Sequence, residues 1–505
     1  MEEIPVINHF IAGVAVSPAS GNYINVENPA TGAVIARLAE GNIADLDKAV
    51  AAAQAAGVDP VWRDMPTEQR SALIYALSQR IQKHAEELVY LESISSGGTI
   101  SRIAGLDVPA AIDLCWTTAE LVKNYPFIEN LPQRPLPEMT HGQVIKEPIG
   151  VCGLITAWNF PLILFLTKTI TALAAGNTVV VKPSELTPHT AARFAEITAD
   201  LLPPGVLNIV HGYGHVIGDA MSHHPDIGKI SFTGSTRVGK LIQAAAAQTC
   251  KRVTVELGGK GAAIVRSDAD INLVAHAALF GVMLNAGQMC ESGTRLLVHK
   301  SIEQEVLNAL SEVAARLVVG NPLDPDTSIG PLSNSTHGER VMDYIRSALD
   351  EGARLVCGGE RLNIAGCEGG FFVAPTILAG AHNQMKAARE EIFGPVLMVI
   401  TYDTDEEAIE LANDSNYGLS AGIYSTDLVK AQQMSRRLQA GSVWINDWHA
   451  IRCDAPFGGY KESGLGREFG IKGLESFLEI KTVITAFQRD PNAKMLYGML
   501  HKQPA

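Results

Sequence analysis

A chain of 505 residues, 47% hydrophobic and 19% charged, exceeds one ordinary core and should divide into two or three domains. Its formal net charge of -14 leaves no basic footprint for nucleic-acid phosphates or an anionic membrane surface. Seven scattered cysteines without a Cys-x-x-Cys pair fit reduced cytoplasmic thiols better than a disulfide framework, and no zinc-ligand spacing occurs.

The start, Met1-Glu2-Glu3-Ile4-Pro5, lacks the basic and apolar regions of a signal peptide. Residues 43–57 and 66–95 carry Ala/Leu-rich helical periodicity, with Asp45 and Thr67 near their starts. From Gly142 to Val151 the pattern turns to short strand-like segments. The most apolar stretch, 149–181, contains Asn159, Pro161 and Lys168 and does not read as a membrane span. Strand–loop–helix units follow at 151–157, 177–182, 206–211 and 230–233, with helices after Pro161, after Thr187, and from about His215 and Thr236. A second series begins at Gly261. Its strands are expected at 262–266, 294–299 and 396–402, and its helices at 270–284, 301–317 and 405–413. Strands alternating with helices predict an α/β chain built on parallel sheets.

Two glycine patterns fall short of the common nucleotide fingerprints. Gly212-Tyr-Gly214-His-Val-Ile-Gly218 has one residue too many for G-x-G-x-x-G, and reads equally as a plain turn. Gly234-Ser-Thr-Arg-Val-Gly239-Lys240 imitates a P-loop, but position 241 is Leu where magnesium binding needs a hydroxyl, so an ATPase is not expected. The chemistry lies further on. Asn285-Ala-Gly-Gln-Met-Cys290-Glu-Ser-Gly-Thr-Arg295 supplies a thiol among small residues, and Thr254-Val-Glu256-Leu-Gly-Gly-Lys260 supplies a carboxylate followed by two glycines. Taken alone, Cys290 reads as a packed core thiol, Asn159 as a turn former, and Lys168 and Lys260 as surface charges. Together, a thiol and a carboxylate suggest covalent catalysis with a separate general base.

Further motifs tip that balance: Thr156-Ala-Trp158-Asn159-Phe160-Pro161, Val180-Val-Lys182-Pro-Ser184-Glu185, Phe232-Thr-Gly234-Ser235-Thr-Arg-Val-Gly239, Glu391-Ile-Phe393-Gly-Pro395 and Pro456-Phe457-Gly-Gly-Tyr-Lys461. In this order and spacing the chain resembles the NAD(P)-dependent aldehyde dehydrogenase superfamily almost end to end. The resemblance implies a Rossmann-type NAD-binding domain (1–126 and 149–257) and an α/β catalytic domain (258–470). It also implies a β-strand oligomerisation arm with a C-terminal tail (127–148 and 471–505), hence a homodimer or homotetramer.

It implies the chemistry as well. Cys290 attacks the aldehyde, Asn159 and the Cys290 N–H hold the oxyanion, hydride passes to NAD, and Glu256 activates the water that hydrolyses the thioester. Lys168 is implied near Glu256. A free thiol pKa of about 8.5 means that Cys290 should sit in an electropositive, sheltered setting. Cofactor contacts are implied for Thr156, Trp158, Lys182, Ser184, Glu185, Gly218, Phe232, Gly234, Ser235, Leu257, Glu391 and Phe393. A carboxylate at Glu185 favours NAD without excluding NADP.

The aldehyde tunnel is expected from Phe160, Ile163, Leu164, Thr167, Met289, Glu291, Ile451 and Phe457, with no Arg to clamp a second carboxylate. That predicts an apolar aliphatic or aromatic aldehyde. Glu291 has two readings, a carboxylate turned away into a salt bridge or one repelling anionic substrates. Trp448 with His449 raises an aminoaldehyde as an alternative. A CoA-acylating relative, or a non-catalytic binding descendant, would be expected to lack a carboxylate at 256 or the thiol at 290.

Overall fold

The computed structural model describes residues 4–500. Strand Val151–Ile155 and its neighbours Thr178–Lys182, Lys229–Thr233 and Leu207–Ile209 are apolar nearly throughout, which is the pattern of strands covered on both faces. Their side chains alternate accordingly. Cys152, Leu154, Val179 and Val181 enter one core, with helices Thr67–Lys83, Val108–Asn124 and Pro161–Ala174. Val151, Ile155 and Val180 enter another on the opposite face, with helix Ile43–Val58. That helix starts where Asn42 and Asp45 form a reciprocal capping box.

The sheet has eight strands. Arg252–Glu256, Lys229–Thr233, Val151–Ile155, Thr178–Lys182 and Leu207–Ile209 lie side by side and parallel. Thr233 is level with Glu256, and Ile155 with both Phe232 and Lys182, so the loops after these strands emerge along one carboxyl edge. That edge is where ligands gather in open α/β sheets. Gly464–Leu465 closes one side, antiparallel, and the hairpin His9–Ile11 and Val14–Val16 extends the other.

A second sheet of seven strands holds Val396–Tyr402, Arg295–His299, Ala262–Val265 and Ser420–Tyr424 as parallel neighbours over a single large core. Only its edge strand Arg354–Cys357 is antiparallel. A third sheet pairs Leu478–Ala486 with Thr140–Pro148 over nine residues and adds Ile128–Asn130. Its residues Ile128, Ile480 and Ile484 are exposed.

The expected elements appear with adjusted ends. The 66–95 helix divides at His84, and the helix expected from Ser301 begins as a 3₁₀ turn before Glu303–Ala314. From about His215 the chain forms a π-helical turn, Gly214–Gly218, and only then the short helix Asp219–His223. Sequence patterning missed helix Val108–Asn124, because Gly105 and Pro109 interrupt its approach, and also the small N-terminal strands. Among the described residues no helix is long and apolar enough to cross a membrane. The last five residues of the C-terminal tail, 501–505, lie outside the described part; within it, Lys494 pairs with Glu138.

Candidate active site

Three loops from the carboxyl edge of the first sheet meet the loop that leads into strand Arg295–His299 of the second. Between them is a cavity of about 370 Å³, lined by Cys290, Asn159 and Trp158 among others. The turn carrying the thiol is built on left-handed backbone: Asn285 (φ 54°), Ala286 (φ 53°) and Gly287 (φ 74°) in succession. Asn tolerates that region, but Ala does so only at a cost of order 1–3 kcal/mol, a strain that concentrates at functional sites. At Gly287 a side chain would also lie 2.1 Å from the Gly394 carbonyl oxygen.

Asn159 holds this turn. Its Nδ2 donates to the Gln288 carbonyl at 2.9 Å, and its own carbonyl accepts from Asn285 Nδ2 at 2.9 Å. An amide has two hydrogens, so one remains for an oxyanion beside Cys290. Gln288 donates to the Asn285 carbonyl and accepts from the Ser333 N–H, tying the turn down further.

Cys290 does not sit in an electropositive setting, contrary to expectation. Its thiol is held well above its usual range by burial first, then by Glu291, Glu391 and Glu256. The Sγ–H donates to Glu291 Oε2 at 3.1 Å. Glu291 is therefore not turned away from the site, although its pairing with His449 is the ion pair expected of it. It is buried, it lines the cavity, and its other oxygen lies 3.2 Å from His449 Nδ1. Burial would raise this carboxyl, but the contacts with His449 and Cys290 outweigh it and the net shift is downward.

Its backbone carbonyl accepts hydrogen bonds from Trp448 Nε1 at 3.0 Å and Ser420 Oγ at 2.9 Å. Trp448 is buried behind that carbonyl, where its ring fills the space a Cβ would take at Gly281, Gly293 or Gly422. It is thus unavailable to a cationic substrate, so the aminoaldehyde alternative loses the Trp448 contact it was read from. Residue 449 turns back on a left-handed φ of 64° and places its imidazole in the cavity wall.

Glu256 ends its strand 3% exposed, with no hydrogen-bond partner of good geometry for either oxygen. Gly458 and Gly464 lie close against it; a Cβ on Gly458 would be 2.6 Å from Oε1. Burial, then Glu468, pushes its carboxyl well up, while Lys168, Arg467 and the Gly459 amide pull the other way. Lys168 and Glu468 form a buried ion pair. Neither Lys168 nor Lys260 is a surface charge, at 1% and 2% exposure. Burial brings Lys260 down to about 7.

Of the expected tunnel residues, Phe160, Ile163, Leu164, Thr167, Met289, Glu291, Ile451 and Phe457 all line the cavity. Leu106, Ala110 and Leu114, from the helical stretch the sequence did not disclose, complete the apolar wall with Phe469. Arg340, which the sequence reading did not single out, also lines the cavity. It belongs to helix Ser335–Asp350, one turn beyond His337, whose ring meets Trp158 and Phe393 edge-on. Glu468 was missed as well, as was the pairing of His449 with Glu291, since no local motif marks either.

At this second end the cavity is lined by Gly234, Ser235, Leu257, Glu391 and Phe393. Ser235 caps helix Thr236–Ala247, whose first turn presents free N–H groups and a positive dipole end. Gly234 has no room for a side chain: a Cβ would lie 2.4 Å from the Phe232 ring. Glu391 Oε1 accepts the Gly259 N–H at 2.9 Å, and burial raises the carboxyl to about 7. Phe393 has φ 61° and packs against Trp158 at 5.5 Å.

Thr156, Lys182, Ser184, Glu185, Gly218 and Phe232 lie outside the cavity wall. Lys182 Nζ is committed to the Pro183 carbonyl and to Glu185, both at 2.9 Å. The Thr156 N–H donates to the Lys182 carbonyl. Gly218 closes the π-helical turn, and a Cβ there would meet only Ile155, so nothing at that position demands glycine.

The family model for the aldehyde dehydrogenase family matches residues 16–483. Human retinal dehydrogenase 2 is 40% identical over 495 residues, covering 95% of this chain and 92% of its own. An aldehyde dehydrogenase of Enchytraeus buchholzi is 41% identical over 485 residues, covering 94% of each. Among solved structures, betaine aldehyde dehydrogenase of Staphylococcus aureus in complex with NAD+ superposes with a TM-score of 0.93 at 36% identity, covering 96% of this chain and 97% of the other. An indole-3-acetaldehyde dehydrogenase of P. syringae in complex with NAD+ and IAA gives 0.92 at 37% identity, covering 95% and 97%.

Proposed function

The chain belongs to the aldehyde dehydrogenase family and is an NAD-dependent enzyme that oxidises an aldehyde; from that premise we propose that its substrate is an apolar aliphatic or aromatic aldehyde, released as the free carboxylic acid. The observation that carries the substrate class is the cavity itself: Cys290 and Asn159 share it with a wall of Phe160, Ile163, Leu164, Leu106, Leu114 and Phe457. Arg340, on the side of Trp158 and Phe393, serves the cofactor end and does not clamp the substrate.

Cys290 Sγ adds to the carbonyl carbon, and the oxygen gains charge where the free hydrogen of Asn159 Nδ2 and the Cys290 N–H can donate to it. Removing one such donor costs about 10²–10³ in rate. Bound NAD supplies the oxidant for the substrate carbon. The residues present suit it: the capped helix start at Ser235 for the pyrophosphate, and Glu391 with Phe393 for the nicotinamide ribose and ring. Glu185, already neutralising Lys182, leaves no free cation there for a 2′-phosphate, which supports NAD over NADP. Glu256 then takes a proton from the water that hydrolyses the thioester.

We further place the enzyme in the cytoplasm as a homo-oligomer. Seven free cysteines and the exposed isoleucines of the third sheet support that reading.

The test is NADH formation across a panel of aliphatic, aromatic, amino- and semialdehydes, with NAD and NADP separately and without coenzyme A. Turnover concentrated on apolar aldehydes with NAD is expected. A preference for charged aldehydes, or a requirement for coenzyme A, would refute the proposal.

A further inference from the structure

The residue following the nucleophile is a carboxylate aimed back at it. Among the described residues the one hydrogen bond made by the Cys290 thiol goes to Glu291 Oε2, at 3.1 Å. Glu291 cannot swing away freely, because its own carbonyl is fastened by Trp448 and Ser420 and its second oxygen faces His449 Nδ1 at 3.2 Å. Glu256 makes no hydrogen bond to the thiol; it ends its strand against Gly458 and Gly464, with Lys168 and Glu468 alongside.

We propose that Glu291, supported by His449, is the base that takes the thiol proton as Cys290 attacks, leaving Glu256 for hydrolysis alone. This rests on the dehydrogenase reading above. The step balances without a co-reactant. The S–H bond breaks as Oε2 takes its proton, the sulfur pair forms the C–S bond, and the carbonyl π pair moves to the oxygen facing Asn159. The proton later leaves to solvent as one of those that oxidation of an aldehyde to a carboxylate releases.

A carboxylate beside a thiol opposes a free thiolate, so the arrangement suits transfer during attack and not a standing ion. The other charged groups facing the thiol, Glu391 and Glu256, are also acidic and give a thiolate no support. Among the described residues His449 is the basic group facing Glu291, and its contact with Oε1 favours the ionised, accepting form of that carboxylate.

The test compares wild type with Glu291→Gln in single-turnover NADH formation and, without aldehyde, in alkylation of Cys290 by iodoacetamide followed on its peptide. A base of this kind is worth about 10²-fold or more, so both rates should fall by that order while NAD binding is unchanged. A carboxylate that merely repels the thiolate predicts the opposite, faster alkylation in Glu291→Gln; that result, or an unaltered single turnover, would overturn the proposal.

His449→Phe gives an independent reading. Without the imidazole, Glu291 protonates more readily, so the acid limb of the single-turnover pH profile must move to higher pH. An unmoved limb would also overturn the assignment. If wild type forms no NADH with any aldehyde yet Cys290 alkylation is slowed in Glu291→Gln, the dehydrogenase reading fails and the Glu291 assignment stands.

Discussion

Lys168→Met tests the proposal that Glu256 is kept usable as a base. Lys168 is 1% exposed, and its ammonium forms an ion pair with Glu468 inside the protein. Removing one partner of a buried pair leaves an uncompensated charge and costs about 3–5 kcal/mol, whereas removing both is often close to neutral. Chemical denaturation should therefore show a large loss for Lys168→Met and recovery of most of it in Lys168→Met/Glu468→Gln.

The kinetic consequence follows from sign. Glu256 must be ionised to accept a proton; burial and Glu468 already raise it, and Lys168 opposes them. Without Lys168 the carboxyl rises further, so the acid limb of steady-state turnover must move to higher pH. Glu468→Gln alone removes the opposing charge and must move the limb to lower pH. Both measurements are made as kcat against pH on an apolar aldehyde with saturating NAD. Two limbs that stay together, or a Lys168→Met protein as stable as wild type, would refute the picture of a carboxyl poised between those two charges.

Cys290→Ala should abolish NADH formation while leaving NAD binding measurable by tryptophan fluorescence; residual full activity would displace Cys290 as nucleophile. Glu256→Gln should form one equivalent of NADH rapidly and then turn over about 10²-fold or more slowly, seen by stopped flow. Gly259→Ala would set a Cβ 2.0 Å from the Cys290 carbonyl oxygen. Because backbone must then move at the nucleophile, kcat/KM should fall by about 10²-fold with little change in NAD affinity. His189 is buried and held down at about 4. The unfolded chain protonates it near 6.5 and the folded one only near 4, so its contribution to stability is lost as pH falls through that window. The urea midpoint of wild type should drop more between pH 7 and pH 4 than that of His189→Gln.

The thiol, the Asn159 amide and the residues of the Glu391–Pro395 stretch were legible as lining one site because each sits in a short contiguous motif whose side chains stay near one another in any fold. The wall contributed by Leu106, Ala110 and Leu114 was not, since Gly105 and Pro109 break the helical period just where it begins. Glu468 and His449 arrive from segments distant in sequence, brought in by the Phe457–Glu468 bridge and by the turn after strand Ser442–Ile445. No local pattern carries such information. The charge around Cys290 was misjudged for the same reason: Glu291 was visible, but its direction depends on Trp448 and Ser420 holding its backbone. The parallel sheets were readable from alternation of strand and helix. The small antiparallel additions at their edges, His9–Ile11 and Gly464–Leu465, were too short to announce themselves.

The indole of Trp448 touches the Cβ positions of Gly281, Gly293 and Gly422, at 2.9, 2.9 and 2.5 Å. These glycines come from three separate segments, yet one ring decides what each may become. While residue 448 is Trp, a methyl group at any of them displaces the ring that fastens the Glu291 carbonyl; were it small, the same methyl groups would fill a void. Substitutions at these positions are thus order-dependent. A homologue with a different residue at 448 should carry compensating bulk at one of the three, and divergence behind the nucleophile should proceed in coupled steps.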